Sequence, residues 1–169
     1  KGIGLRGLLD ALVRYLPTPA EEPPVTAREP KSGDAVQVAP DADGPLLVRV
    51  FKTTADPFVG RLTYLRVLSG TLRSQAHAWN AERGEDERIG QLLRLHGKEQ
   101  EPVGELKAGE IGAVAKLSAT ATGDTLSTKD QPLVVDRTMS WDGTGYGSHA
   151  ETAVARAIAD LVPGRRRDA

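Results

Sequence analysis

The 169-residue sequence contains no cysteine. That absence excludes a disulfide framework, a thiolate nucleophile and a cysteine-ligated zinc site. Aromatic residues make up only 4% of the chain, so base stacking is expected to be a minor contribution. No apolar run approaches the roughly 20 residues that a membrane span needs, and no signal-peptide pattern opens the chain. We therefore expect a cytoplasmic protein with no membrane partner.

Motifs for catalysis are also missing. The sequence has no Gly-x-x-x-x-Gly-Lys-Ser/Thr loop, so we expect no GTP site and no other cofactor in this chain. The three histidines, His77, His96 and His149, lie far apart without metal-ligand spacing, and no serine stands in a Gly-x-Ser-x-Gly elbow. We predict that the chain is not itself an enzyme and that it holds no metal.

Residues 1–16 have the pattern of an amphipathic helix. Five leucines recur at helical spacing and would form one apolar stripe: Leu5, Leu8, Leu9, Leu12 and Leu16. Pro17 ends the pattern, because proline cannot donate a hydrogen bond to the helix ladder. The chain starts at Lys1 and its single methionine is Met139. We therefore expect a piece of a longer protein, in which a part outside this sequence covers the stripe.

Residues 17–45 have the composition of a linker. They contain seven of the eleven prolines, and six acidic residues against two basic ones. Such a sequence cannot bury much apolar surface. It predicts an extended interdomain linker, partly ordered against the domain that follows.

Residues 46–137 alternate in the manner of strands. Leu65 and Val67 fall on one face of such a segment, and Tyr64 and Arg66 fall on the other. Strand character extends over seven segments: 46–53, 62–69, 71–80, 89–96, 111–117, 125–127 and 133–136. Short strands at this spacing favour an antiparallel barrel or sandwich, and closure into a barrel would remove exposed edges. We predict a mainly β domain.

Residues 138–169 differ in character from the rest. Three glycines at positions 143, 145 and 147 predict a flexible joint, and Ser148 and Glu151 have the spacing of a helix capping box. Three apolar residues then recur at helical spacing: Val154, Ile158 and Leu161. This pattern predicts a short helix to which the sequence assigns no role.

Basic residues concentrate in the first part of the predicted β domain. Between residues 46 and 80 there are five basic residues and one acid, a net of +4 on a chain whose formal net charge is -1. Further on, alternation places Arg94 and His96 on one face of their strand. Basic residues on one wall can neutralise phosphates without reading sequence, although an ordinary solvated face is the alternative. The nearly neutral whole chain gives no reason to expect DNA as a partner.

Three segments carry a resemblance to a known family. They read Asp-Pro-Phe-Val-Gly at 56–60, Arg-Val-Leu-Ser-Gly-Thr-Leu at 66–72 and Ala-Thr-Gly-Asp-Thr-Leu at 121–126. In this order and spacing they resemble the second domain of bacterial elongation factor G, a translational GTPase. The leucine-rich helix is similar to the last helix of that family's GTPase domain. The residues at 95–98 and 115–117 look like those of the paralogous, elongation factor G-like branch.

The resemblance implies a closed antiparallel translation-factor-type β-barrel with short flanking helices, acting as a non-catalytic domain in translation elongation. The implied partners are the ribosome, through small-subunit ribosomal RNA, and the GTPase domain of the same parent protein, where GTP is the expected cofactor. The basic wall becomes the RNA contact, formed by Arg61, Arg66, Arg73, Arg94, His96 and Lys98. The loop after the first long strand becomes the interdomain contact, formed by Asp56, Pro57, Phe58 and Gly60.

The residues alone leave alternatives open. The chain could be a stand-alone barrel that binds a protein or a small ligand, because a fold does not fix a function. It could also be the barrel of a tetracycline-resistance-type ribosome-protection protein. For the loop at 56–60, a plain hairpin connection with Phe58 in the core is as well supported as an interdomain contact.

Overall fold

The computed structural model describes residues 3–56, 60–97 and 99–135. Residues Glu22–Asp136 form one compact unit, and the helix belongs to a second. The described elements are α1 Leu5–Tyr15, β1 Val25–Arg28, β2 Ala35–Val38, β3 Leu47–Asp56, β4 Gly60–Ser69, β5 Thr71–Arg73, β6 His77–Asn80, β7 Glu85–Arg88, β8 Leu92–His96, β9 Glu99–Val103, β10 Glu105–Lys107, β11 Ile111–Ala115, β12 Thr125–Ser127 and β13 Val134–Val135. The joint and helix predicted for 138–169 lie outside the described residues.

Helix α1 is amphipathic, and its apolar stripe is exposed. Gly4 precedes it with φ at +82°, and the chain becomes extended at Leu16. No residue of the helix is buried, and its four leucines are between 43 and 56% exposed. The predicted helix is confirmed.

Eight strands form the main sheet, in the order β7-β6-β12-β3-β4-β11-β8-β9. Every pair of neighbours is antiparallel, and the long β3–β4 hairpin stands at its centre. Val50 pairs with Leu65 and Lys52 pairs with Tyr64, so Phe51 is an extra residue without a register partner. Phe51 is therefore a β-bulge. A separate two-stranded ladder joins β10 to β5. The predicted mainly β, antiparallel fold is confirmed.

One face of the main sheet carries the principal core. Alternate residues of the two central strands point to it, as Val48 and Val50 of β3 and Leu65 and Val67 of β4 show. The buried members are Val48, Val50, Leu65, Val67, Leu72, Ala78, Ile89, Leu92, Leu106, Val114, Leu117 and Leu126. A smaller cluster of Leu62, Leu93 and Ala113 occupies the opposite, outer face. The sheet is thus buried on both sides along β4, β8 and β11.

Two strands of a three-stranded sheet, order β13-β1-β2, lie within the segment predicted to be a linker. The core of this sheet contains Ala27, Val38, Leu47, Leu68, Leu133 and Val135. The extended-linker prediction for 17–45 is therefore corrected for residues 25–38, which form an antiparallel hairpin. Each of these strands buries a single residue, and the third strand comes from the far end of the domain, so local composition gives little sign of them.

Candidate nucleic-acid interface

The structure describes five of the six residues predicted to contact RNA, and Lys98 lies outside the described residues. Pro57 and Phe58 of the predicted interdomain loop also lie outside them. Asp56 is the last residue of β3 and pairs in register with Gly60, whose φ is +80°. The segment between them therefore connects the two strands of a hairpin. Its contact with a GTPase domain stays a prediction.

The described basic residues do not share one face of the sheet. Arg66 lies between Leu65 and Val67, which belong to the principal core, so Arg66 is on the outer face. Arg94 follows Leu92 by two residues, and Leu92 also belongs to the principal core. Arg94, in the middle of β8, is therefore on the opposite face from Arg66.

The basic residues of β5 and β8 have acidic neighbours. The Nε of Arg73 lies 3.6 Å from an oxygen of Glu105, and the Nη2 of Arg94 lies 2.7 Å from an oxygen of Glu110. The β8–β9 ladder adds two register pairs: Arg94 with Glu101, and His96 with Glu99. Surface ion pairs of this kind contribute little stability, but they lower the local positive potential. The positive charge of this part of the predicted wall is largely balanced.

Arg61 supports a neighbouring loop. Its guanidinium donates hydrogen bonds to the carbonyl oxygens of Ser118, at 3.5 Å, and Thr120. It also lines an open cleft of about 720 Å³ together with Arg83 and Glu85. Arg61 is exposed, so its charge reaches solvent even though two of its nitrogens hold the loop.

Glu87 of β7 also binds the loop that contains Ser118 and Thr120, between β11 and β12. The sequence analysis missed this residue. Its carboxylate is buried and accepts hydrogen bonds from the backbone N–H groups of Ser118, Ala119 and Thr120 and from two hydroxyls. Burial by itself raises the pKa of Glu87, but these hydrogen bonds outweigh it and leave the pKa below its ordinary value. Nothing in the polar sequence around residue 87 distinguishes this buried carboxylate from its exposed neighbours.

Asp124 lies at the end of this loop, directly before β12. It accepts hydrogen bonds from the Nδ2 of Asn80 at 3.0 Å, the Nε of Arg83 at 2.6 Å and the backbone N–H of Ala121 at 2.9 Å. The bond to Ala121 is the amide cap expected of an aspartate in a turn. Burial by itself raises the pKa of Asp124, but the hydrogen bonds from Arg83, Ala121 and Asn80 have the larger opposite effect, so the pKa lies below its ordinary value.

Acid should destabilise the domain through these two carboxyls. Glu87 and Asp124 have lowered pKa values when folded, against unfolded values of about 4.3 and 3.9. Their contribution is therefore complete above those values and is lost as the pH falls through the folded-state pKa values. We expect the melting temperature to fall progressively below about pH 4. Thermal melts as a function of pH check this, and a Glu87→Gln variant that keeps the full acid dependence would contradict it.

The outer face of the β3–β4 hairpin combines aromatic and basic side chains. We call it the β3–β4 face, and its members are Phe51, Lys52, Tyr64 and Arg66, with Ile111 of the neighbouring strand β11 beside them. Lys52 is directly opposite Tyr64, and Ile111 of β11 is directly opposite Arg66. The rings of Phe51 and Tyr64 lie 6.2 Å apart between centroids, with an angle of 48° between their planes. Phe51 is 40% exposed and Ile111 is 53% exposed.

The cations of the β3–β4 face differ from those of β5 and β8. The Nε of Arg66 is buried and has no hydrogen-bond partner. In the part of the chain that the structure describes, neither Arg66 nor Lys52 forms an ion pair. The sequence analysis predicted Arg66 as an RNA contact; it counted Lys52 only in the local basic excess and gave Phe51 no role. The bulge that turns both of these residues outward has no sequence signature.

Other kinds of site are not found in the residues described. Among residues 3–56, 60–97 and 99–135 no three His, Asp or Glu side chains are grouped to hold a metal ion. In the same ranges, no helix has the length and apolarity to cross a membrane. Within the described residues, the surface feature left to consider is the partly basic surface of an antiparallel β domain.

A family model for elongation factor G domain 2 matches residues 45–129, about half of the chain. The chain belongs to the elongation factor G domain 2 family, the non-catalytic second domain of a translational GTPase. Domains of this family work with the ribosome in translation. The predicted resemblance is confirmed.

A solved structure is also similar to this chain. The crystal structure of a protein from Thermus thermophilus is similar over 76% of this chain, with 30% sequence identity and a TM-score of 0.54. This chain covers only 16% of that protein's chain. The similarity therefore concerns one part of a much larger protein.

Proposed function

We propose that this chain is the β-barrel domain of a cytoplasmic, ribosome-associated translational GTPase of the elongation factor G type. In this proposal it docks on small-subunit ribosomal RNA during elongation and packs on the GTPase domain of its parent, which binds GTP. The observation that carries the proposal is the family match over residues 45–129, because domains of this family work with the ribosome. The net charge of +4 between residues 46 and 80 supports the RNA contact.

The proposal includes closure of the sheet into a barrel. The ladder between β5 and β10 joins segments that directly follow β4 and β9. Backbone hydrogen bonds continue that link from Ser74 to Gly104 at 2.8 Å and from Gln75 to Gly90 at 3.2 Å. Together they connect the centre of the sheet to its β8–β9 end, which supports a curved and closed arrangement.

Arg66 and Arg73 are the best residues for testing the RNA contact. Arg66 has no ion-pair partner in the described part of the chain, so a phosphate oxygen would meet an uncompensated cation. The side chain of Arg73 is 72% exposed and its contact with Glu105 is long, at 3.6 Å. An exposed pair of this kind is weak enough for a phosphate to compete with the glutamate.

Reversing both charges should weaken ribosome binding. In the full-length protein, Arg66→Glu with Arg73→Glu is expected to lower the affinity for the small subunit and to flatten the salt dependence of binding. Each lost phosphate contact lowers the log–log salt slope by about one, so we expect a decrease of about two. Sedimentation of the protein with small subunits at several salt concentrations measures both quantities.

A second double variant controls for net charge. Lys31 lies in the β1–β2 turn and Arg88 on the edge strand β7, and both are exposed. Lys31→Glu with Arg88→Glu changes the net charge equally and should bind nearly as the wild type does. If the Arg66 and Arg73 variant binds as tightly as this control at matched stability, ribosome docking through these residues is wrong. A stand-alone interaction barrel then becomes the better interpretation.

A further inference from the structure

The bulge in β3 turns two successive side chains to the same side of the sheet. In a regular strand neighbours alternate, so Phe51 and Lys52 would point to opposite faces. Here Lys52 is in register with the outward-facing Tyr64, and the Phe51 ring lies beside the Tyr64 ring. An exposed aromatic ring and a lysine are thereby held next to each other on rigid strands, in the middle of the eight-stranded sheet.

The charge of the β3–β4 face points to an anionic occupant. Lys52 and Arg66 flank the aromatic pair, and the residues directly opposite them across the β3–β4 and β4–β11 ladders include no acid. The Nε of Arg66 is buried, so a partner would meet the rest of the guanidinium, whose charge has no ion-pair partner in the described part of the chain. A partner with anionic oxygens would balance this charge. An apolar partner would leave it unbalanced.

Aromatic rings flanked by cations suit one kind of anion best. Unpaired nucleobases stack on Phe and Tyr rings regardless of sequence, and their phosphates are neutralised by neighbouring Lys and Arg side chains. In a duplex the faces of the bases are stacked inside the helix. The phosphates of a duplex could therefore contact Lys52 and Arg66, but its bases could not stack on Phe51. The exposed Phe51 would then contribute nothing to binding.

We infer that the β3–β4 face binds an unpaired segment of RNA, with one base stacked on Phe51 and the flanking phosphates on Lys52 and Arg66. The inference rests on the proposed function, because it states which form of ribosomal RNA this face takes. It also revises the expectation that stacking is minor, since the low aromatic content of the chain does not prevent a single well-placed ring from stacking.

Binding of short RNAs by the 169-residue chain tests the inference. The probes are a labelled single strand of about ten adenosines and a labelled duplex of the same length. Fluorescence anisotropy at low salt should show tighter binding of the single strand. Phe51→Ala should weaken single-strand binding by about tenfold with an unchanged salt slope, because stacking releases no counterions. Arg66→Gln should instead lower the salt slope by about one.

Two further variants sharpen the result. Phe51→Tyr keeps a ring at the bulge and should retain binding. Ile111→Ala removes an exposed apolar side chain beside the β3–β4 face without removing a ring or a proposed RNA contact, and it should bind RNA as the wild type does. Thermal melts of each variant establish that the fold is unchanged. Equal losses in Phe51→Ala and Ile111→Ala would overturn the inference and indicate an apolar face for a protein partner.

Other outcomes separate this inference from the proposed function. Equal affinity for single strand and duplex, wild-type binding by Phe51→Ala, or no binding at low salt would each overturn stacking on this face. If the charge-reversal variant of the full-length protein loses ribosome binding while Phe51→Ala in that protein does not, only the stacking inference fails. If both bind the small subunit as the wild type does, the proposed function fails with it.

Discussion

Replacing Glu87 with alanine is expected to lower the free energy of unfolding by about 3 kcal/mol or more. The substitution leaves three backbone N–H groups and two hydroxyls at Ser118, Ala119 and Thr120 without their common acceptor. Thr120 is fully buried, so its donors cannot turn to water without opening the loop. Urea denaturation measures the change, which should appear in the midpoint while the m-value is retained.

Glu85→Ala provides the matched control for this experiment. Glu85 lies two residues earlier on β7 and is exposed, so its removal should change the stability by less than about 0.5 kcal/mol. Glu87→Gln keeps one acceptor oxygen and should fall between the two. A Glu87→Ala variant as stable as Glu85→Ala would show that water replaces the carboxylate without cost.

Gly70→Ala is expected to destabilise the domain by about 2–4 kcal/mol. Gly70 has φ at +74°, a conformation that costs an alanine about 1–2 kcal/mol. A Cβ at this position would also lie 2.8 Å from the Cα of Leu46, 2.9 Å from its backbone nitrogen and 3.0 Å from the oxygen of Gly44. All three are backbone atoms, so relief requires the segment before β3 to move. Thermal and urea unfolding measure the loss.

The conformational part of this effect can be isolated at a second glycine. Gly123 has φ at +95°, and a Cβ there would meet no atom within 4 Å. Gly123→Ala should therefore cost only the left-handed strain of about 1–2 kcal/mol. If Gly70→Ala costs no more than Gly123→Ala, close approach of the backbone at Gly70 contributes nothing.

Strands with clear alternation could be predicted, and strands made of polar residues could not. Leu65 and Val67 indicated the core face of β4, and both are fully buried. The polar segment Glu99–Val103 gave no such signal, although β9 pairs along its whole length with β8. Residues 71–80 were predicted as one strand, but Gln75 adopts φ at +62° and divides it into β5 and β6. Backbone conformation of a non-glycine residue leaves no mark in composition.

The net charge around the basic residues of the candidate site could not be predicted from the local sequence either. Counting residues 46–80 gave a correct local excess of basic residues, but Arg73 meets a glutamate from β10, and Arg94 meets one from the turn before β11. Those acids lie later in the chain, and only the fold brings them close. The loop carboxylate Glu87 was hidden for a similar reason, since its donors come from residues 118–120.

Because of the bulge at Phe51, the effect of deleting one residue from β3 depends on which residue is deleted. Val50 and Lys52 already pair with consecutive residues of β4, so deleting Phe51 would make the ladder regular at that point, with the remaining side chains facing as before. Deleting Val50 would instead move the aromatic ring into the place of a fully buried valine. We therefore expect the domain to fold without Phe51, whose ring extends the surface and fills no position in the principal core.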